Sequence, residues 1–179
     1  MESVNVAFST TNSLLSRVIR WFTRSSVSHS LITFRDATLD KVFVMEANGR
    51  GFMLVPWAKW RKHNTLIARY SIDVDENVKM SSLRAVADHL GAEYDYVSLL
   101  GFLWRRFVSR TRNPLDNGKK LVCSEAVARF LNGIKFDEGL VFDDPSSWTP
   151  EDLYAECRKR DVFVLEEPKL DDQGNDTKH

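Results

Sequence analysis

The sequence has little of several features that mark particular classes of protein. Its 179 residues include only two cysteines, Cys123 and Cys157, which are too few for a disulfide framework. No apolar run approaches the roughly 20 residues needed to cross a bilayer. No charged start followed by an apolar core indicates a secretion signal. We therefore expect a cytoplasmic protein, whose thiols stay reduced.

Motifs for metal, phosphate and nucleic-acid binding are also missing. No spacing of cysteine, histidine and acidic residues resembles a zinc site, and no glycine-rich phosphate loop is present. No RNA- or DNA-binding motif accompanies the basic residues. We expect no metal or other cofactor and no nucleic-acid partner.

The formal net charge of zero hides an asymmetry between the two ends of the chain. Residues 1–135 contain 20 Lys and Arg against 12 Asp and Glu, whereas residues 136–179 contain 5 against 13. The uneven distribution of charge is explained better by an acidic end that lies over the basic part of the protein, or by a solvated acidic tail, than by a nucleic-acid-binding surface. We predict one domain, residues 1–170, and a polar tail, residues 171–179, that is disordered.

Hydrophobic periodicity predicts a mixture of strands and helices. Alternating and β-branched segments predict strands at residues 4–8, 30–34, 41–47 and 66–72. Helical spacing and capping residues predict helices at residues 14–22, 81–90, 96–107 and 123–131, and another that begins after Thr149. This pattern is typical of an α+β fold, with a small, mostly antiparallel sheet packed against helices.

Three of these helices have apolar faces that we expect to be buried. In the first helix the face consists of Leu14, Leu15, Val18, Ile19 and Phe22. In the second it consists of Leu83, Val86, Ala87 and Leu90, with Gly91 ending the helix. In the helix at residues 96–107 we expect the apolar side chains to face the core while Arg105 and Arg106 lie in solvent.

Cys123 lies at the predicted first turn of a helix, after a polar loop. Free backbone N–H groups and the positive end of the helix dipole stabilise a thiolate there, and the same groups can bind an oxyanion. A lone cysteine is more often a small buried apolar residue. Its position at the helix start favours a nucleophile. Cys157, in the middle of the last helix, is expected to be inert.

His29 begins one predicted strand, and Glu46 lies near the end of the next strand, 17 positions further along. On antiparallel neighbours the carboxylate can lie beside the imidazole and fix its tautomer. His29 can then act as the base that deprotonates Cys123. The alternatives are a structural histidine and a surface carboxylate. His63 and His89 are expected to be surface residues.

Several short segments occur in an order and spacing that, taken together, are moderately specific. They are the helix at residues 14–22 leading into Val27-Ser28-His29-Ser30, then Val44-Met45-Glu46-Ala47 with Gly51 after it, Glu93-Tyr94-Asp95, Val122-Cys123-Ser124-Glu125 and Thr149-Pro150-Glu151-Asp152-Leu153. In these segments the chain resembles the circularly permuted branch of the NlpC-type papain-like cysteine hydrolases, the YiiX-like group. The serine-rich segment before His29 and Ser30-Leu31-Ile32 after it depart from that pattern.

The resemblance implies a permuted papain-like fold in which the histidine precedes the nucleophile. It implies Cys123 as the nucleophile at a helix start, His29 as the base and Glu46 as the third polar residue. Tyr94 and Ser124 are the candidates for substrate or oxyanion binding. A bacterial or phage source would suit such a protein.

The sequence therefore predicts a cysteine amidase or peptidase that acts on a small peptide or an amino-acid amide, a cell-wall peptide among them. One alternative is an acyltransferase or thiol hydrolase of the lecithin-retinol acyltransferase type, with an acyl-lipid substrate and membrane contact through residues 96–107. A second alternative is a binding protein that keeps the fold without catalysis. The oligomeric state is left open.

Overall fold

The computed structural model describes residues 4–93, 122–134, 136 and 140–166. In these residues, six strands form one antiparallel sheet in the order β4-β3-β2-β1-β5-β6. The strands are β1 (Val4–Thr10), β2 (His29–Asp36), β3 (Lys41–Asn48), β4 (Gly51–Pro56), β5 (Thr65–Ile72) and β6 (Phe163–Leu165). The five α-helices are α1 (Leu14–Thr23), α2 (Trp57–Arg61), α3 (Glu76–Ala87), α4 (Cys123–Gly133) and α5 (Pro150–Lys159). The predicted α+β class and antiparallel sheet are confirmed.

Strands β4 and β6 at the two edges of the sheet were not predicted from the sequence. β4 pairs with β3 across a tight turn, with Asn48 opposite Gly51. Its side chains alternate between partly buried and exposed beyond Phe52, which weakens the hydrophobic signal of the strand. β6 contributes only three residues, too few for a periodic pattern.

The sheet has a large core on one face and a smaller one on the other. The large core contains the fully buried side chains of Phe8, Ile32, Phe130, Leu131 and Leu153, among others. The smaller core contains Ala7, Leu31, Val44, Trp57 and Trp60. The two tryptophans come from α2 and stack with ring centroids 5.1 Å apart. They cover this face of the sheet.

Helix α1 is rotated about its axis relative to the orientation that its apolar residues predicted, so only part of the predicted face is buried. Its buried residues are Ser16, Ile19 and Thr23, while Leu14, Leu15, Val18 and Trp21 are exposed. Ser16 Oγ is 2.6 Å from Ser28 Oγ, and Thr23 Oγ1 donates a hydrogen bond to the Ile19 carbonyl. These hydroxyl groups can face the protein because each has a partner there. The expectation that the Leu14 and Val18 side is buried was therefore wrong.

Helix α3 begins earlier than predicted and ends earlier too. Asp75 caps it by accepting hydrogen bonds from the N–H groups of Asn77 and Val78. Ser81 and Ser82, at the start of the predicted helix, lie inside the observed one and donate to the carbonyl of Val78. Leu83 and Val86 are buried as predicted, but Leu90 lies beyond the helix and is 42 % exposed, so its expected burial was wrong.

Two glycines allow close approaches that position the ends of elements. Gly51 has φ of +114°, and a Cβ atom there would lie 2.6 Å from the Ala92 carbonyl oxygen. Backbone hydrogen bonds join Phe52 to Gly91 and Ala92. A Cβ on Gly133, at the end of α4, would lie 2.5 Å from Ser82 Oγ. These contacts hold β4 beside the chain after α3, and α4 against α3.

The last helix, α5, begins with the predicted capping box. Asp152 N–H donates to Thr149 Oγ1, and Thr149 N–H donates to the Asp152 carboxylate. The predicted helix at residues 96–107, Arg105 and Arg106 within it, and the predicted tail at residues 171–179 lie outside the described residues. Within the described segments, none of the helices combines the length and the apolar character required to span a membrane.

Candidate active site

His29 and Glu46 come together through the antiparallel pairing of β2 with β3. The register places Ile32 opposite Met45 and Asp36 opposite Lys41. Extending it by three residues sets His29 opposite Asn48, so Glu46 is a diagonal neighbour on the same face. His29 Nε2 lies 2.7 Å from Glu46 Oε2. The Glu46 carboxylate is therefore positioned to orient the imidazole ring.

Three donors converge on the buried Glu46 carboxylate. Oε2 accepts hydrogen bonds from His29 Nε2 and from Trp60 Nε1, the latter at 2.9 Å. Oε1 accepts a hydrogen bond of 2.7 Å from Asn48 Nδ2. Burial disfavours the carboxylate, but His29 followed by Asn48 and Trp60 outweighs it, so the pKa of Glu46 is lowered. The group is thus held as an anion behind His29.

Cys123 is the first residue of α4, after the N-cap residue Val122. The first intrahelical hydrogen bond runs from Ala126 N–H to the Val122 carbonyl, so the N–H groups of Cys123 and Ser124 remain outside the helical pattern. The backbone N–H groups of Ser124 and of Ser30 in β2 stabilise the thiolate and contribute to the lowered pKa of Cys123. Cys123 is 6 % exposed. The thiol is therefore in a buried position surrounded by hydrogen-bond donors.

The imidazole of His29 bridges Glu46 and Cys123. Its Nε2 faces Glu46, which leaves Nδ1 for the hydrogen bond with the Cys123 sulfur. Burial opposes the thiolate, but the His29 charge and hydrogen bond and the two backbone N–H groups outweigh it and lower the pKa of Cys123. Burial likewise opposes the imidazolium, but Cys123, followed by Glu46, raises the pKa of His29 to about 10. The favoured state is a thiolate–imidazolium pair.

A cleft of about 210 Å³ opens beside the His29 and Glu46 side chains. Helix α1 and the residues before it form one wall, including Thr11, Ser13, Leu15, Ser16 and Ile19. Ser28, Ala47, Asn48, Gly49 and Asn64 line the remainder of its described surface. Apart from His29 and Glu46, the described lining residues are uncharged. The cleft thus offers neutral hydrogen-bonding groups together with the apolar side chains of Leu15, Ile19 and Ala47.

The other residues singled out in the sequence lie in different settings. Ser124 is buried, and its backbone N–H reaches the Cys123 sulfur. Tyr94 lies outside the described residues. Cys157 is 1 % exposed in α5, and burial, followed by the charge of Glu156, raises its thiol pKa. His63 is exposed, as expected, whereas His89 is partly buried, contrary to expectation.

Two site residues, Trp60 and Asn48, were not identified from the sequence. Asn48 has a usable signal, because it lies two positions after Glu46 and therefore points to the same face of β3. Trp60 has none, because its position depends on how α2 folds back over the sheet after β4. Within the described residues, no group of three or more His, Cys, Asp or Glu side chains could hold a metal ion.

Comparison with known proteins adds no family to these observations. No protein-family model matches the chain, and no curated protein sequence matches it.

Proposed function

We propose that the protein is a cysteine hydrolase of the amidase or peptidase type, with Cys123 as nucleophile, His29 as general base and acid, and Glu46 as the group that orients His29. The observation that carries the proposal is the position of the His29 ring, bonded to Glu46 on one side and to the Cys123 sulfur on the other. An activated nucleophile, a base and an orienting group form the minimal set for covalent acyl transfer.

The acylation step begins with the Cys123 thiolate and the His29 imidazolium. The sulfur forms a bond to the carbonyl carbon of the amide, and the carbonyl π electrons move to the oxygen. The backbone N–H of Cys123, in the first turn of α4, is available to donate to this oxyanion. The intermediate collapses, the C–N bond breaks, and the leaving nitrogen takes the proton from His29. The product is a thioester on Cys123.

In the hydrolysis of the thioester, His29 accepts a proton, whereas in acylation it donates one. His29, now neutral, removes a proton from a water molecule as the water oxygen attacks the thioester carbon. The second tetrahedral intermediate collapses with cleavage of the C–S bond and releases a carboxylic acid. Cys123 leaves as the thiolate beside the imidazolium, so the starting state is restored. Glu46 stabilises the charged ring at both stages.

The lining of the cleft supports a neutral, hydrogen-bonding substrate. Asn48, Asn64 and the hydroxyl groups of Ser13 and Ser28 offer donors and acceptors, while Leu15 and Ile19 offer an apolar wall. A short peptide or an amino-acid amide fits these properties, and a cell-wall peptide is one such substrate. The cytoplasmic location expected from the sequence is part of the same proposal.

The chain order of the site supports assignment to the permuted papain-like fold. His29 and Glu46 precede Cys123, as in the circularly permuted NlpC-type hydrolases that the sequence resembles. The nucleophile is at the start of a helix, and the histidine is on a strand next to it. These are the arrangements that the resemblance implies.

The test is hydrolysis of a panel of fluorogenic dipeptide and aminoacyl amides by the wild-type protein and two variants. Cys123→Ser should abolish turnover, whereas the matched variant Cys157→Ser should retain it. Turnover that survives Cys123→Ser would exclude this mechanism. A folded protein with an unreactive Cys123 and no turnover would instead support a non-catalytic binding protein.

A further inference from the structure

Helix α1 presents an apolar stripe to solvent on the side facing away from the protein body. Leu14, Val18 and Trp21 are spaced by four and three positions, so they share one face of the helix. Leu14 and Trp21 are 75 % and 76 % exposed, and Val18 is 39 % exposed. A surface helix that already has a buried side rarely exposes its large apolar side chains to water as this ten-residue helix does.

The charged residues of α1 itself are all basic, although Glu151 of α5 accepts a hydrogen bond from Ser25 just beyond the C-terminal end of the helix. Arg17, Arg20 and Arg24 belong to the same helix or its C-terminal cap, and residues 3–35 contain no Asp or Glu. Within the described part of the chain, none of the three guanidinium groups forms an ion pair. The helix therefore carries an uncompensated positive charge beside exposed leucine, valine and tryptophan.

This combination fits one kind of partner better than others. Apolar side chains with flanking basic residues match the interface of an anionic bilayer, where the apolar groups enter the acyl boundary and the guanidinium groups meet lipid phosphates. A tryptophan is favoured at that depth because its ring is apolar and its N–H is polar. A purely apolar protein partner would leave the three arginines without counter-charges.

We infer that α1 docks this protein onto an anionic lipid surface through Leu14, Val18 and Trp21, with Arg17 and Arg24 at the lipid phosphates. Leu15 and Ile19, on an adjacent side of the same helix, line the cleft next to His29. Docking thus places the cleft at the membrane surface, where amides or esters carried by lipids come within its reach. The binding itself does not require catalysis.

The test is flotation of the full chain with vesicles of phosphatidylcholine alone or with about one quarter phosphatidylserine. We expect binding to the anionic vesicles that is weakened by salt. The variant Leu14→Ser, Val18→Ser, Trp21→Ser should bind roughly tenfold or more weakly, as should Arg17→Gln, Arg24→Gln. Matched variants at exposed positions elsewhere, Leu39→Ser and Lys59→Gln, Lys62→Gln, should bind like the wild type.

Three results would overturn the inference. The first is the absence of vesicle binding at low salt, or binding that the α1 substitutions leave unchanged. The second is a lowered unfolding midpoint of the α1 serine variant, which would place the stripe inside the folded chain. The third is a dimer that dissociates on the same substitutions. Cys123→Ser should float like the wild type, so failure of docking and failure of catalysis are measured separately.

Discussion

His29 Nε2 and Glu46 Oε2 lie 2.7 Å apart, and the same carboxylate accepts two further hydrogen bonds, from Trp60 and Asn48. All the described contacts of this carboxylate are with donors, so the site requires an acceptor on both oxygens. The shape of the hydrogen-bond network therefore specifies an acid at position 46 and not simply a polar residue.

Replacing Glu46 with Gln should slow Cys123 reactivity at neutral pH by at least about tenfold. Gln has one acceptor oxygen, so its NH₂ group must face one of the three donors, and the negative charge that supports the imidazolium is lost. The second-order rate of alkylation by iodoacetamide, with far-ultraviolet circular dichroism as a check of folding, measures this. Asp73→Asn, the same acid-to-amide change at an exposed position outside the cleft, is the control. An unchanged rate in Glu46→Gln would remove Glu46 from the site.

Cys123 should alkylate much faster than Cys157 at pH 7. The pKa of Cys123 is lowered by His29 and two N–H groups, whereas burial raises the pKa of Cys157. Peptide mass mapping after brief iodoacetamide treatment gives both rates in one sample. His29→Ala should slow Cys123 and leave Cys157 unaffected. Equal rates at the two cysteines in the wild type would contradict the activation of Cys123.

Hydrolysis and alkylation should depend differently on pH. Both need the thiolate, so both should fall as the pH drops through the Cys123 pKa, which lies below its ordinary value of 9.0. Amide hydrolysis also needs the His29 proton for the leaving group, so it should fall again as the pH rises through about 10. Alkylation should remain fast there. A fall of both rates at high pH, with folding retained, would argue against His29 as the acid.

The ion pair should also contribute to stability over a limited range of pH. The raised pKa of His29 contributes stability that is fully present below 6.5 and is lost as the pH rises through about 10. The lowered pKa of Cys123 contributes stability that is present above 9.0 and is lost as the pH falls through the folded value. The free energy of unfolding of the wild type and of Cys123→Ser can be measured by urea denaturation across this range. We expect the difference between the two proteins to become smaller as the pH is lowered. A constant difference would contradict the pair.

Gly51→Ala should destabilise the protein more than Gly91→Ala does. Both glycines have positive φ, +114° and +89°, so an alanine at either is strained by about 1–3 kcal/mol. At Gly51 the new Cβ would also meet the Ala92 carbonyl oxygen at 2.6 Å, whereas nothing lies within 4 Å at Gly91. Urea denaturation of the two variants gives the comparison. Equal losses in the free energy of unfolding would show that the backbone near Ala92 moves away from the new Cβ atom without an energetic cost.

Much of the candidate site could be predicted because its signals are local or depend on a simple register. The alternation of β2 and β3 and the short hairpin between them bring His29 and Glu46 to one face, and the start of the predicted helix at residues 123–131 coincides with the start of α4 at Cys123. The position of Trp60 could not be predicted, because it depends on the packing of α2 over the sheet.

The orientation of α1 shows a different limit of sequence reasoning. Helical periodicity identifies the side chains that share a face, but it does not say which face is turned inward. Here the hydroxyl of Ser16 has a partner in Ser28, so the narrow side with Ser16, Ile19 and Thr23 packs inward. Such pairing joins residues that no local pattern connects.

The separation of His29 and Cys123 along the chain determines when a reactive thiolate can form during synthesis. During synthesis His29 and Glu46 leave the ribosome first, and Cys123 follows 77 residues after Glu46. Until α4 docks against β2, Cys123 is an ordinary thiol with a largely protonated sulfur at neutral pH. An unfinished or misfolded chain therefore carries no activated thiolate, and chemical reactivity is acquired together with the completed fold.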